Sequence, residues 1–307
     1  MTFVRQLMHF SLILLITVSC ATSSKKDPLS QGDTLLTQKE AELRFKQVSD
    51  VQYFLKFDLS EAANEKFNGT STIDFTFKDV GEDLRVDFFA GQIQELKVNG
   101  VAKKPEYNER FLVIDNSWLT PGKNKLEISF SRKFNTDGQG FVYFKDPEDN
   151  KIYTYTQLDP YRANYVFPCF DQPDLKATYE MQVIAPKAWT VITSVRENKT
   201  ENLPDKNVRW HFPRSAKFST YIWSLHAGEY AKFESRAGKI PLRLFVRQSL
   251  AKYVKVQDWF KPTQQGLGFF PKYFGTPYPY IKYDQIIAPA YTSGAMENVA
   301  AVTFNEF

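Results

Sequence analysis

The sequence predicts a mainly β protein: an N-terminal, saddle-like antiparallel β-sandwich domain, followed by a segment in which strands and a helix alternate. Three observations carry this reading. Apolar residues recur with a period of two over many short runs, which places one set on a core face and the other near solvent. Turn pairs separate the runs: Asn68-Gly69, Asn99-Gly100, Pro121-Gly122 and Asp137-Gly138. After Gly228-Glu229-Tyr230 the period changes from two toward three and four.

The runs begin at Val51. Val51, Tyr53, Leu55, Phe57 and Leu59 alternate with Gln52, Phe54, Lys56 and Asp58. Ile73, Phe75 and Phe77 alternate with Asp74 and Thr76, and Leu126, Ile128 and Phe130 with Glu127 and Ser129. Further strands are expected over 152–156, 179–184, 190–193, 208–212 and 218–225, and short strands at such spacing suit a sandwich or a saddle-shaped sheet. One more strand, 242–246, precedes a helical stretch over 250–274. There Leu250, Tyr253, Val254, Val256, Trp259 and Phe260 recur at spacings of three and four. Pro262 is expected to interrupt that helix early, and Pro271 lies near its end. The domain boundary is placed near residue 230, giving 41–230 and 231–307.

The first residues read as a targeting segment. Arg5 supplies a positive charge, and Phe10–Ile16 is an apolar stretch too short to span a bilayer. Thr17-Val18-Ser19-Cys20 then resembles a bacterial lipoprotein signal, with Cys20 as the lipid-modified first residue of the mature chain. The position of Thr17 is more often Leu in such signals, and an ordinary cleaved secretion signal is the alternative. Residues 21–40, polar and rich in Ser, Thr and Lys, read as a tether. The expectation is an exported protein of the bacterial cell envelope, held by its lipid on the periplasmic side of the outer membrane.

Composition bounds the rest. A hydrophobic fraction of 43% and an aromatic fraction of 16% support a packed core and argue against global disorder. The 39 basic and 35 acidic residues nearly balance, and no Lys/Arg block longer than the pairs Lys25-Lys26, Lys103-Lys104 and Arg132-Lys133 follows the leader, so nucleic acid is not an expected partner. With Cys20 acylated, Cys169 is left as a small buried hydrophobe.

Two segments carry chemistry. Gly294-Ala295-Met296-Glu297-Asn298 reads as a small-residue strand edge followed by a carboxylate, along which a peptide main chain can lie. Gln157-Leu158-Asp159-Pro160 ends the 152–156 strand and runs into Tyr161-Arg162-Ala163-Asn164-Tyr165-Val166-Phe167-Pro168-Cys169-Phe170-Asp171-Gln172-Pro173-Asp174. The first segment resembles the GAMEN exopeptidase motif of the M1 family of zinc aminopeptidases. The second resembles that family's T-Q-x-E-P-x-x-A-R-x-x-F-P-C-F-D-E-P signature. Tyr273–Tyr280 resembles the stretch leading into the family's catalytic domain. The resemblance covers the chain from about residue 45 onward.

It implies an N-terminal β domain followed by the start of a thermolysin-like α/β catalytic domain, and an enzyme releasing N-terminal residues from peptides with a free N-terminus. It assigns Gln157, Asp159 and Glu297 as acceptors for the substrate α-amine, because an ammonium taken out of water needs paired acceptors. Asp159 stands where most relatives have Glu or Gln, withdrawing the charge by one methylene. Gly294 and Ala295 matter for their small size. Arg162, Asp171 and Asp174 are read as residues that fix the loop beneath the pocket.

The family implies zinc. The histidines in the chain are His9, His211 and His226; none stands in an H-E-x-x-H, and no zinc ligands or catalytic residues are expected within 1–307. The chain stops at Phe307 before such a helix, so the expectation is a truncated aminopeptidase that is inactive by itself. The alternative is a lipid-tethered peptide-binding or structural β-domain protein without catalysis.

Overall fold

The computed structural model describes residues 36–307. Cys20, and all of the stretch read as leader and tether except its last residues, lie outside them. The described chain opens with a helix, Gln38–Gln47, started by a reciprocal cap in which Thr37 and Glu40 satisfy each other's backbone N–H groups. Its buried residues, Arg44 and Gln47, turn inward onto the β domain.

An eight-stranded sheet follows, in the order Lys199–Asn202, Asn207–Phe212, Thr178–Pro186, Val48–Asp58, Lys66–Phe77, Gly122–Lys133, Gln92–Val98 and Val101–Lys103. The period-two runs lie in this sheet with the expected polarity. Tyr53, Leu55, Phe57, Ile73, Phe75, Leu126, Ile128 and Phe130 are buried, while Lys56, Asp74, Glu127 and Ser129 are not. One pairing departs from an antiparallel sheet: Val48–Asp58 and Thr178–Pro186 run parallel at the centre, in register from Gln52 with Thr178 to Asp58 with Ile184. More than a hundred residues of intervening chain supply the crossover that a parallel pair needs.

Two smaller sheets complete this domain. Four strands, Thr190–Thr193, Leu225–Gly228, Ile152–Gln157 and Gly140–Lys145, form one; Leu84–Asp87, Phe111–Ile114 and Glu106–Tyr107 form the other. The core is strongly aromatic. Phe57 meets Phe130, Phe141 and Phe167 edge-on and Trp223 at 5.9 Å, and Tyr53 stacks on Tyr179. Residues 218–225, expected as one strand, instead make a bridge at Phe218, a single 3-10 turn over Thr220–Ile222 and a strand from Leu225. That turn places Thr220 over Asp171, to which its hydroxyl donates.

The remainder builds a five-stranded mixed sheet in the order Tyr230–Ala237, Ile240–Arg247, Tyr283–Ile287, Ala301–Phe304 and Ala295–Met296. Its inner face packs on the four-stranded sheet through Tyr153 and Ile192 against Tyr230, Phe245, Ile286 and Ala301. A helix, Val256–Phe274, crosses the other face through Phe260, Trp259 and Leu267. The helix runs unbroken through Pro262 and Pro271, against expectation. Pro262 is on the exposed side, where water satisfies the carbonyl its missing N–H leaves free. Gly275, at φ 68°, closes the helix in the left-handed conformation. None of the helices among the described residues is long and apolar enough to cross a membrane.

Candidate active site

The Gly294–Asn298 segment lies at a sheet edge. Ala295 pairs with Phe304 and Met296 with Thr303, and Asn305 N–H donates to the Gly294 carbonyl at 3.1 Å. The opposite edge of the two-residue strand has no partner strand among the described residues. The pleat sorts the side chains: Gly294, Ala295 and Glu297 are exposed, Met296 and Asn298 buried. Met296 packs with Val142, Tyr155, Ala288 and Tyr291. The Asn298 amide donates to Thr303 Oγ1 at 3.0 Å. A Cβ built on Gly294 would meet nothing within 4 Å, so the space over this edge is open.

Gln157 closes the Ile152–Gln157 strand and is buried; Asp159, two residues on, is exposed. Tyr291 joins the two segments. Its hydroxyl donates to Gln157 Oε1. Its ring meets Tyr155 edge-on at 5.7 Å, and the Tyr155 hydroxyl reaches the Ala290 carbonyl at 3.4 Å. Burial raises the Tyr291 phenol well above its ordinary range, and Tyr155, Asp159 and Glu297 raise it further. Asp159 and Glu297, which follow different sheets, thus both act on one phenol. Neither makes a hydrogen bond or ion pair with another side chain among the described residues. Tyr291 carried no signal in the sequence beyond standing three residues before Gly294.

The loop after Asp159 is fixed from beneath. Asp171, fully buried, accepts from Asn164 N–H at 3.0 Å, Asn164 Nδ2 at 2.8 Å and Thr220 Oγ1 at 2.7 Å. Asp87 accepts from Asp171 N–H at 3.0 Å and pairs with Arg44 at 2.5 Å. Burial raises the Asp171 carboxyl against those donors. Arg162 makes no ion pair among the described residues: it donates to the Tyr161 carbonyl and lies over the Tyr165 ring. Asp174 is exposed. Of these three residues, Asp171 carries the structural role. Cys169 is a free, fully buried thiol, pushed well above its ordinary range by burial.

The histidines lie closer to carboxylates than the sequence indicated. His211 Nε2 is 3.5 Å from Glu201. His226 is buried beside Lys282 and Asp284, and burial with the Lys282 charge lowers it to about 3, so the ring is neutral. Neither gathers the donors a zinc ion needs. No group of three His, Cys, Asp or Glu side chains able to hold a metal occurs among the described residues. The described residues do not fit a zinc centre.

Known proteins resemble this chain in sequence. The Peptidase M1 N-terminal domain matches residues 49–222, and the Peptidase family M1 domain matches residues 260–307. Aminopeptidase N of Streptomyces lividans is 33% identical over 89% of this chain, which spans 32% of that relative. Aminopeptidase N of Oryctolagus cuniculus is 28% identical over 78% of the chain, with 27% of its own length covered. Probable aminopeptidase 1 of Sulfurisphaera tokodaii is 29% identical over 75%, with 28% covered. The chain thus spans about a third or less of these relatives. With the first match running through more than half of its residues and the second through the edge strand of the candidate site, the chain belongs to peptidase family M1.

Proposed function

We propose that residues 1–307 supply the N-terminal domain and the amine-holding wall of a zinc metallo-aminopeptidase acting on peptides with a free N-terminus. The observation that carries this reading is the hydrogen bond by which Tyr291, three residues before Gly294, joins the end of the Ile152–Gln157 strand to the open strand edge, with Asp159 and Glu297 exposed and both raising its phenol. Such a site takes a cation rich in N–H donors, and an α-ammonium followed by an extended main chain meets both requirements. Residues 1–307 contain no H-E-x-x-H. By themselves they bind and do not hydrolyse.

The test is titration of leucinamide and N-acetylleucinamide into the chain. The free amine should bind and its acetylated form should not, and Glu297→Ala should abolish the preference. Equal binding of both probes defeats the reading. In the same preparation, zinc retained after dialysis or turnover of a chromogenic aminoacyl amide would defeat the claim that these residues alone do not hydrolyse. We also propose that Cys20 anchors the protein by lipid in the cell envelope. Incorporation of a labelled fatty acid, lost in Cys20→Ser, tests that.

A further inference from the structure

The solvent face of the eight-stranded sheet is polar, and over much of it the side chains satisfy one another. Asp74 pairs with Lys125, Thr76 donates to Asp50, Arg214 donates to Gln52 and Ser131 donates to Gln92. One area departs from this pattern. A groove of about 310 Å³ lies over the middle strands, with Lys56, Asn68, Thr70, Gln94, Ser129 and Gln182 in its lining. None of these six side chains makes a hydrogen bond or an ion pair among the described residues.

The strand register brings them together. Lys56 stands opposite Gln182 on one side and Thr70 on the other, and Thr70 stands opposite Ser129, so the four form one row across four strands. Asn68 adds to the next row, two residues along from Thr70. Gln94 enters through a bulge: the register of Gln92–Val98 shifts between Ile93 and Glu95 and leaves Gln94 as the extra residue. Directly opposed side chains are close enough to interact, yet these amides and hydroxyls stay free. The charges in the groove balance. Lys56 is answered by Asp58 two residues on, and Arg209 is paired with Glu201 at 3.3 Å.

We propose that this groove binds a neutral saccharide. Free carboxamides and hydroxyls set donors and acceptors side by side, and each sugar hydroxyl is a donor and an acceptor at once. The balanced charge favours neither an anion nor a cation. An extended peptide binds by main-chain pairing at a free strand edge, and the strands beneath the groove are paired on both sides. An apolar chain would cut six polar groups off from water without replacing their hydrogen bonds. Ile184, half-buried, supplies an apolar patch for the C–H face of a sugar ring. The volume falls at the lower end of the range of about 300–1,000 Å³ usual for small-ligand sites. The groove shares no residue with the amine site, whose Gln157 and Glu297 belong to the four- and five-stranded sheets.

The experiment titrates chitotriose and cellotriose into the ¹⁵N-labelled chain. The side-chain amide signals of Asn68, Gln94 and Gln182 are identified by their loss in the three alanine variants. At least one of the two sugars should move these signals saturably. Chitotriose alone would point to acetamido sugars, whereas movement by both would show that ring hydroxyls suffice. Thr70→Val and Gln182→Ala should each weaken the binding several-fold, up to about tenfold. Gln52→Ala, on the same face but with its amide already held by Arg214, should leave the affinity unchanged. Saturating leucinamide should leave it unchanged as well. No saturable movement with either sugar would overturn the proposal, as would undiminished affinity in the Thr70→Val/Gln182→Ala double variant. Competition by leucinamide would place the sugar at the amine site and also overturn it. So would triglycine moving the same signals at lower concentration, which would make the groove a peptide site.

Discussion

Arg243 grips Asp284 with two hydrogen bonds, at 2.7 and 2.5 Å, in a site where both side chains are buried. Lys282 Nζ reaches the same carboxylate at 2.7 Å and the Ala300 carbonyl at 2.7 Å. Glu197, from the N-terminal domain, stands 3.7 Å from Arg243. Two cations and two anions balance, with Arg243 and Asp284 on adjacent strands of the five-stranded sheet. Burial alone would raise the Asp284 carboxyl, but Lys282 and Arg243 outweigh it and hold it below the carboxylate range.

Asp284→Ala should therefore destabilise the chain by about 3–5 kcal/mol, because Arg243 and Lys282 are left buried without their shared partner. Glu197→Gln, at longer range and with its side chain 22% exposed, should cost far less. Urea unfolding of both variants checks this. Comparable losses would show that Asp284 is not the centre of the cluster.

Stability should fall on acidification in two stages. His226 is lowered from 6.5 to about 3 in the fold, so the unfolded chain binds its proton first. The neutral ring's contribution is complete above its unfolded value and is lost as pH falls toward the folded one. The expected slope is about 1.4 kcal/mol per pH unit. Asp284, also depressed, adds its own loss only below the ordinary carboxylate range. His226→Asn should flatten the first stage and leave the second. Unfolding free energies across pH measure it; an unchanged slope between about pH 6 and 4 refutes the assignment to His226.

Asp171→Ala should be more damaging than Asp171→Asn. The alanine strands the Asn164 N–H groups and the Thr220 hydroxyl, about 1–3 kcal/mol for each buried donor left unmet. The asparagine keeps one acceptor oxygen and, since burial already raises the carboxyl, gives up a charge the fold holds at a cost. Thermal melts rank the two variants. A higher midpoint for Asp171→Ala would mean that the stranded donors find water and that Asp171 does not hold the loop.

Phe269, Phe270, Tyr273 and Phe274 form an exposed run of ring contacts on the Val256–Phe274 helix. Phe274→Ser should change unfolding free energy by no more than about 0.5 kcal/mol, because the ring is 67% exposed. The same change should reduce binding of a hydrophobic dye and self-association, since it breaks a contiguous apolar patch. A large loss of stability would mean the ring packs more than its exposure indicates.

Much of the β domain was legible because burial alternates with the strand period: Tyr53, Leu55 and Phe57 point inward for the reason their spacing gave. The parallel pairing of Val48–Asp58 with Thr178–Pro186 was not, since it joins segments far apart in the chain and leaves no mark on either run. The strand edge at Ala295 was legible from the small size of Gly294 and Ala295. The hydrogen bond of Tyr291 to Gln157 was not legible, because the two lie 134 residues apart. The helix break expected at Pro262 failed because the pattern does not say which proline faces water.

Gln157 and Asp159 ride on the four-stranded sheet, whereas Glu297 follows the edge of the five-stranded one. The two are bolted together beside that edge, one residue past the Asn305–Gly294 hydrogen bond. Arg247 binds Glu306 at 2.7 Å and Asp146 at 2.9 Å, and Ser249 ties into the same carboxylate of Asp146. The spacing between Asp159 and Glu297 is thus a calliper setting, held by this clamp. Replacements at Asp146, Arg247 or Glu306 would open or close its jaws by altering how the sheets seat on each other. The distance between the two carboxylates can thus be reset without replacing either of them.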